Sequence, residues 1–296
     1  MNTTVSYLVP SFNHVQYLPA LLESIKADAA SLATTWELII VDDGSSDGSA
    51  SLIQGWLAAN LSTEKVITCF VAKNQGITAT FNRLVDLSSG DYLRFCGSDD
   101  ILVRASTTAL LQAFAQQPGL ACVFGDARVI DAGDGVVHAS SIAFHGGRIA
   151  RLEGAATLRR ELIQHWCIAG PSMLIRRGHY ATMRYDETLK IDDYDLILSL
   201  LENEGAVQFL NDVVCHYRIH ATNTSKTRDR QKRIDNMRSF LFIVDKYIGR
   251  RTLALELIPV RHKTKAKLHF LTGDYVAAGA HALYCAFFRA RGWVVR

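Results

Sequence analysis

Three groups of carboxylates in this chain stand where chemistry could use them. Asp42 and Asp43 follow the hydrophobic run WELIIV directly, and Asp99 and Asp100 come just after DYLRFC. Asp192, Asp193 and Asp195 open the segment DDYDLILSLLENEG. A carboxylate at the end of a buried strand can accept hydrogen bonds from a base or a ribose. Paired hard oxygen ligands can also hold Mg2+ or Mn2+, and Mg2+ typically uses one or two carboxylates plus substrate phosphate. Such an ion neutralises a diphosphate without a glycine loop, and the glycine loops are missing. There is no G-x-x-x-x-G-K-[ST], and no G-x-G-x-x-G after the first strand, which argues against P-loop and dinucleotide chemistry. A calcium loop starting at Asp43 fails as well: its third position is Ser45, its twelfth is Gln54, and a strand precedes it. Structural roles compete at each place. Ser45, Ser46 and Asp47 suit a turn and a helix cap, and acids at a helix start are favoured by its dipole.

To act together, these groups need strands that end together. VSYLVP (5–10), WELIIV (36–41), KVITCFVA (65–72) and DYLRFC (91–96) read as strands. Helical stretches alternate with them: HVQYLPALLESIKADA, in which Leu18, Leu21, Leu22 and Ile25 share a face, then SASLIQGWLAA and ITATFNRLVDLS. The alternation predicts an α/β fold with a mostly parallel sheet, whose ligands bind beyond the carboxyl ends of the strands. Those ends carry Pro10-Ser11-Phe12-Asn13, Asp42-Asp43-Gly44-Ser45, Lys73-Asn74-Gln75-Gly76 and Ser98-Asp99-Asp100. After Gly119 the pattern changes. LACVFGDARVI, SMLIRR and AVQFLNDVVCHYRIH read as strands, IDAGDGVVH as a turn between strands, and residues 192–205 as a helix. From about residue 226 the charged run SKTRDRQKR leads into helical segments, so a helical appendage is expected over residues 227–296.

Bulk properties narrow the class. The 296 residues are 49% apolar with a net charge of only +3, so overall charge gives a nucleic-acid partner no support. The six cysteines lie apart, without C-x-x-C or zinc spacing, as expected of reduced thiols in the cytoplasm. MNTTVSYLVPSF lacks a basic n-region and is broken by proline, unlike a signal peptide. No run reaches the roughly 18 apolar residues of a membrane span.

The ordered set VPSFNHVQYL, ELIIVDDGSSDGS, KNQGITATFN and GDYLRFCGSDD, over residues 4–104, resembles the family 2 glycosyltransferases of GT-A fold. The resemblance implies a Rossmann-like sheet flanked by helices. It divides the chain into a catalytic domain (1–226), with a nucleotide-binding half (1–118) and an acceptor-binding half (119–226), and a helical C-terminal appendage. It implies that Pro10, Ser11 and Phe12 line the base pocket, that Asp43 and Asp42 contact the base, and that Lys73 and Gly76 lie near base or ribose. Asp99 would face ribose or metal, and Asp100 would be the main ligand of Mn2+ or Mg2+; Ser98 stands where a strict D-x-D has aspartate. YDETLKIDDYDLILSL resembles the acidic element before a helix, which makes Asp193 the general base and Asp195 the other candidate. HYRIHATNTS resembles the closing element, in which His220 or Arg218 completes the metal shell or meets the diphosphate. Gly170, Pro171 and Ser172 would shape the sugar pocket, and Trp166 would stack on a sugar or be buried.

The implied activity is an inverting, metal-assisted transfer from a nucleotide-sugar donor, UDP- or dTDP-linked, to a hydroxyl of a glycan or lipid-linked saccharide. The rivals are a non-catalytic sugar-nucleotide-binding scaffold and a nucleotidyltransferase; the G-x-G-T-R-type loop expected of the latter is absent. A processive synthase is disfavoured by the lack of spans and of Q-x-x-R-W. The basic and aromatic tail, with Lys263, Lys265, Lys267, Arg289, Arg291, Arg296, Phe287, Phe288 and Trp293, suits peripheral contact with the inner face of the plasma membrane. The favoured reading of the tail is a helical cap packed on the catalytic domain or on a second subunit of a homodimer.

Overall fold

The structure is a computed structural model, in which residues 3–61, 65–189, 191, 193–220 and 229–290 are described. The first half runs β1 (Thr4–Ser11), α1 (Leu18–Ala29), β2 (Thr35–Asp42), α2 (Ser49–Asn60), β3 (Lys65–Phe70), α3 (Ile77–Leu87) and β4 (Tyr92–Phe95). Then come β5 (Ile101–Leu102), α4 (Ser106–Gln116), β6 (Cys122–Ile130), β7 (Val136–His138), α5 (Ser141–Phe144), α6 (Ile149–Leu152) and α7 (Ala155–Gln164). The chain continues through β8 (Met173–Arg176), α8 (Asp193–Leu201), β9 (Val207–Arg218), α9 (Arg230–Gly249), α10 (Ala254–Thr272) and α11 (Tyr275–Ala290).

These strands form one sheet in the order β3-β2-β1-β4-β8-β6-β9-β5, with β7 attached to β6. β1 and β2 are buried almost throughout, which is why they read as unbroken apolar runs: helices cover both faces of a parallel sheet. At the edge, every residue of β3 is exposed or half-buried. The expectation of a mostly parallel sheet holds for β1 to β4 and needs correction beyond them. β8 runs antiparallel to both β4 and β6, β5 antiparallel to β9, and only β6 with β9 is parallel there. An antiparallel neighbour needs no crossover helix, so the strand-helix alternation lapses where the sheet turns mixed. Leu8, Ile39, Phe95 and Phe124 belong to the core on one face; Tyr7, Ile40, Leu22 and Val123 belong to that on the other.

Two buried polar constructions brace the sheet. Arg94, fully buried, meets Asp28 at 3.3 Å, Ser106 Oγ at 2.9 Å and the Val214 carbonyl at 2.9 Å, while Tyr7 donates to Asp28 at 2.7 Å. At the opposite end from the strand carboxyl termini, Glu37 accepts from Ser6 Oγ (2.7 Å), Ser89 Oγ (2.9 Å) and Lys65 Nζ (2.6 Å). Burial pushes the Glu37 carboxyl up, but the donors from Lys65, Ser6 and Ser89 outweigh it and hold the group down at about 2.

Register brings the strand ends level. Ser11 lies beside Asp42, Asp42 beside Phe70, and Leu8 beside Phe95. The C-terminal helices pack on this body, α10 against α7 and α9 against α8. The expected boundary at residues 226 and 227 lies outside the described residues, as do Asp192, Arg291, Trp293, Arg296 and the side chain of Arg289. No described helix is long and apolar enough to cross a membrane.

Candidate active site

The first strand ends are tied into a rigid rim. Asp42 Oδ2 accepts from Ser11 Oγ (2.9 Å) and Ser45 Oγ (2.7 Å), and Oδ1 from Ser45 N (2.9 Å). Asp43 spans to the next loop, its two oxygens accepting from Gln75 N and Gly76 N, both at 2.9 Å. Between these loops Gly44 has φ +79°, and a Cβ there would stand 3.0 Å from Asn74 N, so only glycine lets the two backbones approach. Asn13 takes the left-handed region (φ 54°) and is held there by Ser46 N, which donates to its Oδ1 at 2.8 Å.

Past β4 the chain turns through Gly97, and the two aspartates part company. Asp100 is 3% exposed; its Oδ1 accepts from Arg218 N at 2.8 Å, and its Oδ2 tucks against Gly97, where any side chain would collide with it. Burial, and after it the Asp99 charge, push the Asp100 carboxyl well above the usual range. Asp99 instead faces His220, whose Nε2 lies 2.9 Å from Asp99 Oδ2. His14 completes a cluster: one ligand atom each from His14, Asp99 and His220 lie within 4.8 Å of one another. The imidazole of His14 is oriented by Ser98 Oγ at 2.7 Å and packs edge-on against His220 at 5.4 Å. Burial lowers the His14 pKa, which keeps the ring neutral and able to donate a lone pair. Under the cluster Arg218, 2% exposed, donates to the Asp99 carbonyl (2.6 Å) and to the Asp131 carbonyl (2.8 Å), pairs with Asp134 (2.6 Å) and lies 4.8 Å from the Tyr17 ring centre.

Asp193, at the first position of α8, lines the same cleft. The loop leading to it is fastened to α3: Asn82 Nδ2 donates to the Tyr185 carbonyl (3.0 Å) and to Glu187 (2.9 Å), and Tyr185 N donates back to Asn82 Oδ1 (3.1 Å). Behind it Asp195, 1% exposed, is gripped by Lys246 Nζ at 2.9 Å to both oxygens, so its carboxylate is committed to seating α8 on α9.

All of this surrounds one cleft of about 1470 Å³. Its walls include Pro10 to His14, Asp43, Asn74 to Gly76, Ser98, Asp99, His220, Trp166, Gly170, Pro171 and Asp193. A family model described as glycosyl transferase family 2 matches residues 6–183. The chain belongs to glycosyltransferase family 2. A "PGL/p-HBAD biosynthesis glycosyltransferase" of Mycobacterium tuberculosis is 31% identical over 215 residues, covering 72% of this chain and 75% of that protein. An Escherichia coli "chondroitin synthase" is 27% identical over 230 residues, 77% of this chain and 31% of its own length. The fold matches Staphylococcus aureus TarS 1–349 with UDP-GlcNAc at a TM-score of 0.65, 14% identity and coverage of 99% and 93% of the two chains. It also matches the mannosyltransferase PcManGT of Pyrobaculum calidifontis with GDP-Man and Mn2+ at 0.62 and 16%, covering 97% and 76%. This family 2 glycosyltransferase therefore has the GT-A fold, with a helical C-terminal region.

Of the residues singled out in the sequence, the cleft of the glycosyltransferase gathers Pro10, Ser11, Phe12, Asp43, Gly76, Asp99, Asp193 and His220. Asp42, Lys73 and Asp100 are not among its lining: Asp42 is tied into the loop, Lys73 is exposed with its backbone against Gly44, and Asp100 is turned inward. Gly170 and Pro171 line the cleft, whereas Ser172 is buried with its hydroxyl on the Ala169 carbonyl at 2.7 Å. Trp166 does both, lining the cleft while stacking on Phe240 at 5.7 Å. Sequence reasoning missed His14, whose signal was a histidine one residue past a strand-end asparagine. It also missed the wall given by α9 and α10, which had no motif to announce it.

Proposed function

We propose that the chain is an inverting, metal-assisted transferase using a UDP- or dTDP-linked sugar, with Asp193 as general base and a saccharide or lipid-linked saccharide hydroxyl as acceptor. One observation carries the reading: the His14, Asp99 and His220 cluster and the acid at the head of α8 line a single cleft beyond the strand carboxyl ends. Such a crevice is where α/β sheets take their ligands. UDP-GlcNAc and GDP-Man with Mn2+ in structures of the same fold support the donor class and the cation.

The donor set also supports a cation. Ligands about 2.1 Å from a shared ion stand some 3 to 4 Å apart, so atoms within 4.8 Å need only a small closure. Two imidazoles with one carboxylate favour Mn2+ over Mg2+, which prefers oxygen. When bound there, the ion supplies charge neutralisation to the departing diphosphate. The chain's own residues do the rest. Phe12 and the rim around Asp43 hold the nucleoside, Arg218 fixes the Asp99 loop, and Asp193 takes the acceptor's proton as its oxygen attacks the anomeric carbon. A single displacement of this kind inverts the anomeric centre.

The test is calorimetry and thermal shift with UDP-, dTDP-, GDP- and CMP-sugars, each with Mn2+ and with EDTA. A donor at one hundred times its Kd stabilises the fold by about 2.7 kcal/mol. Metal-dependent stabilisation by a UDP- or dTDP-sugar is expected. Binding that is indifferent to EDTA overturns the cation, and no binding of any donor overturns the reading.

A further inference from the structure

Among the described residues, the lysines and arginine that line the cleft come from the C-terminal helices. Arg233 is on α9, and Lys263 and Lys267 are on α10. The described carboxylates of the cleft, Asp43, Asp99, Glu187 and Asp193, come from the other walls. The charge is thus divided, and helix geometry explains how it is aimed. Arg233, Asn236, Met237 and Phe240 recur at i, i+3, i+4 and i+7, as do Val260, Lys263, Thr264 and Lys267, so each set shares one helix face. Phe240 stacks on Tyr194 at 4.5 Å, and Tyr194 adjoins Asp193 in the chain. The cationic faces therefore extend from the wall beside Asp193, and the three charges themselves are exposed.

His165 points the same way. It lines the cleft, and its buried Nε2 has no hydrogen-bond partner among the described residues. Burial foremost, with Lys263, Arg148 and Arg151 adding to it against Glu161, lowers its pKa. The size of the cleft leaves room for a ligand there. About 1470 Å³ exceeds the roughly 300–1,000 Å³ of a pocket for one small molecule.

We propose that α9 and α10 form an acceptor subsite that selects a saccharide carrying an anionic group, a carboxylate or a phosphate, met by Arg233, Lys263 and Lys267. The proposal rests on the transferase reading above and deepens it by naming the acceptor's charge. Neutral acceptors gain nothing from three exposed cations at the mouth of a cleft. An anionic one is steered and oriented by them, an effect that salt screens. It also gives a role to two of the tail's lysines, which line the cleft wall.

The experiment compares the full chain with its Arg233→Gln/Lys263→Gln/Lys267→Gln variant, whose changes are all exposed and leave the core intact. Nucleoside diphosphate-sugar binding is titrated first in both. The donor-saturated proteins are then titrated with a hexauronide, its carboxyl-reduced counterpart, inorganic phosphate, and vesicles of phosphatidylcholine with one-third phosphatidylglycerol. Expected is binding of the hexauronide or phosphate that rising salt weakens and that the variant loses by about tenfold or more. Replacing the same three positions so that each carries lysine or arginine should restore it. Equal affinity for the hexauronide and its reduced form, without phosphate binding, overturns the proposal, and so does an unchanged variant. Binding of vesicles alone overturns it in favour of a lipid headgroup as the anion's source. A variant that loses donor affinity overturns it by assigning the cations to the donor diphosphate. Failure of the wild-type chain to bind any donor strikes the transferase reading itself, which the first titration reveals separately.

Discussion

Asn82→Ala should uncouple the approach to Asp193 from the rest of the glycosyltransferase. The Asn82 side chain is 6% exposed and makes three hydrogen bonds across to residues 185–187. Truncation strands the buried N–H and C=O of Tyr185, each at about 1–3 kcal/mol; Glu187 is exposed and turns to water at little cost. The sum is about 3 kcal/mol. At roughly 2–4 °C per kcal/mol for a chain of this size, Tm should fall by about 6–12 °C. Part of the loss should be local, because Arg184, paired with Asp86 of α3 at 2.6 and 2.8 Å, holds only the start of the loop, and nearer Asp193 the tie from Thr78 Oγ1 to the Leu189 carbonyl is long at 3.3 Å. Nucleotide affinity should therefore survive while kcat falls, since the rim around Asp43 is held by separate bonds. Scanning calorimetry reads the first effect, and nucleoside diphosphate release under saturating donor reads the second. If Tm moves by less than about 1 °C and kcat is unchanged, the amide is not what seats this loop.

Asp193→Asn should keep donor binding and lower kcat by about 10²–10⁴, the range of a general base; near-wild-type turnover would remove Asp193 from that role. Asp99→Asn should weaken Mn2+-dependent donor binding by about tenfold or more while Asp100→Asn shifts stability more than metal response; equal metal responses in titration calorimetry would refute the distinction. Glu37, held down at about 2 against an ordinary value of 4.5, contributes stability that is fully present above 4.5 and lost as pH falls toward 2. Glu37→Gln should flatten that acid limb and cost about 2–3 kcal/mol at neutral pH, discounted because its Lys65 partner is half exposed; an unchanged urea midpoint and acid limb would contradict it.

What the sequence reveals follows from locality. β1 to β4 were legible because each is a buried run ended by polar residues, a pattern that parallel pairing imposes strand by strand. The mixed region was harder. α4 and α7 went unread, and β8 is four residues inserted between strands that lie far from it in the chain. At the site, residue types were legible and their allocation was not. Asp42 and Asp43 look equivalent in sequence, yet only Asp43 lines the cleft, and of Asp99 and Asp100 only the first faces the histidines. Those differences arise from partners such as Ser45, Gln75 and Arg218, which no local window joins. The α9 and α10 wall is longer-range still, since its residues show ordinary helical amphipathicity until something is packed opposite.

The cluster of His14, Asp99 and His220 has a consequence for how the protein is made. Asp99 and His220 are separated by 121 residues, and Arg218, which fixes the Asp99 loop, ends the late strand β9 two residues before His220. A ribosome emits the strand ends of the first half long before it emits β9. Until then a nascent chain has the rim around Asp43 but neither the second imidazole nor the buried guanidinium. On the proposed role of the cluster, donor capture through it waits until residue 220 has been made, and a chain truncated before β9 lacks the imidazole and the guanidinium that this role needs.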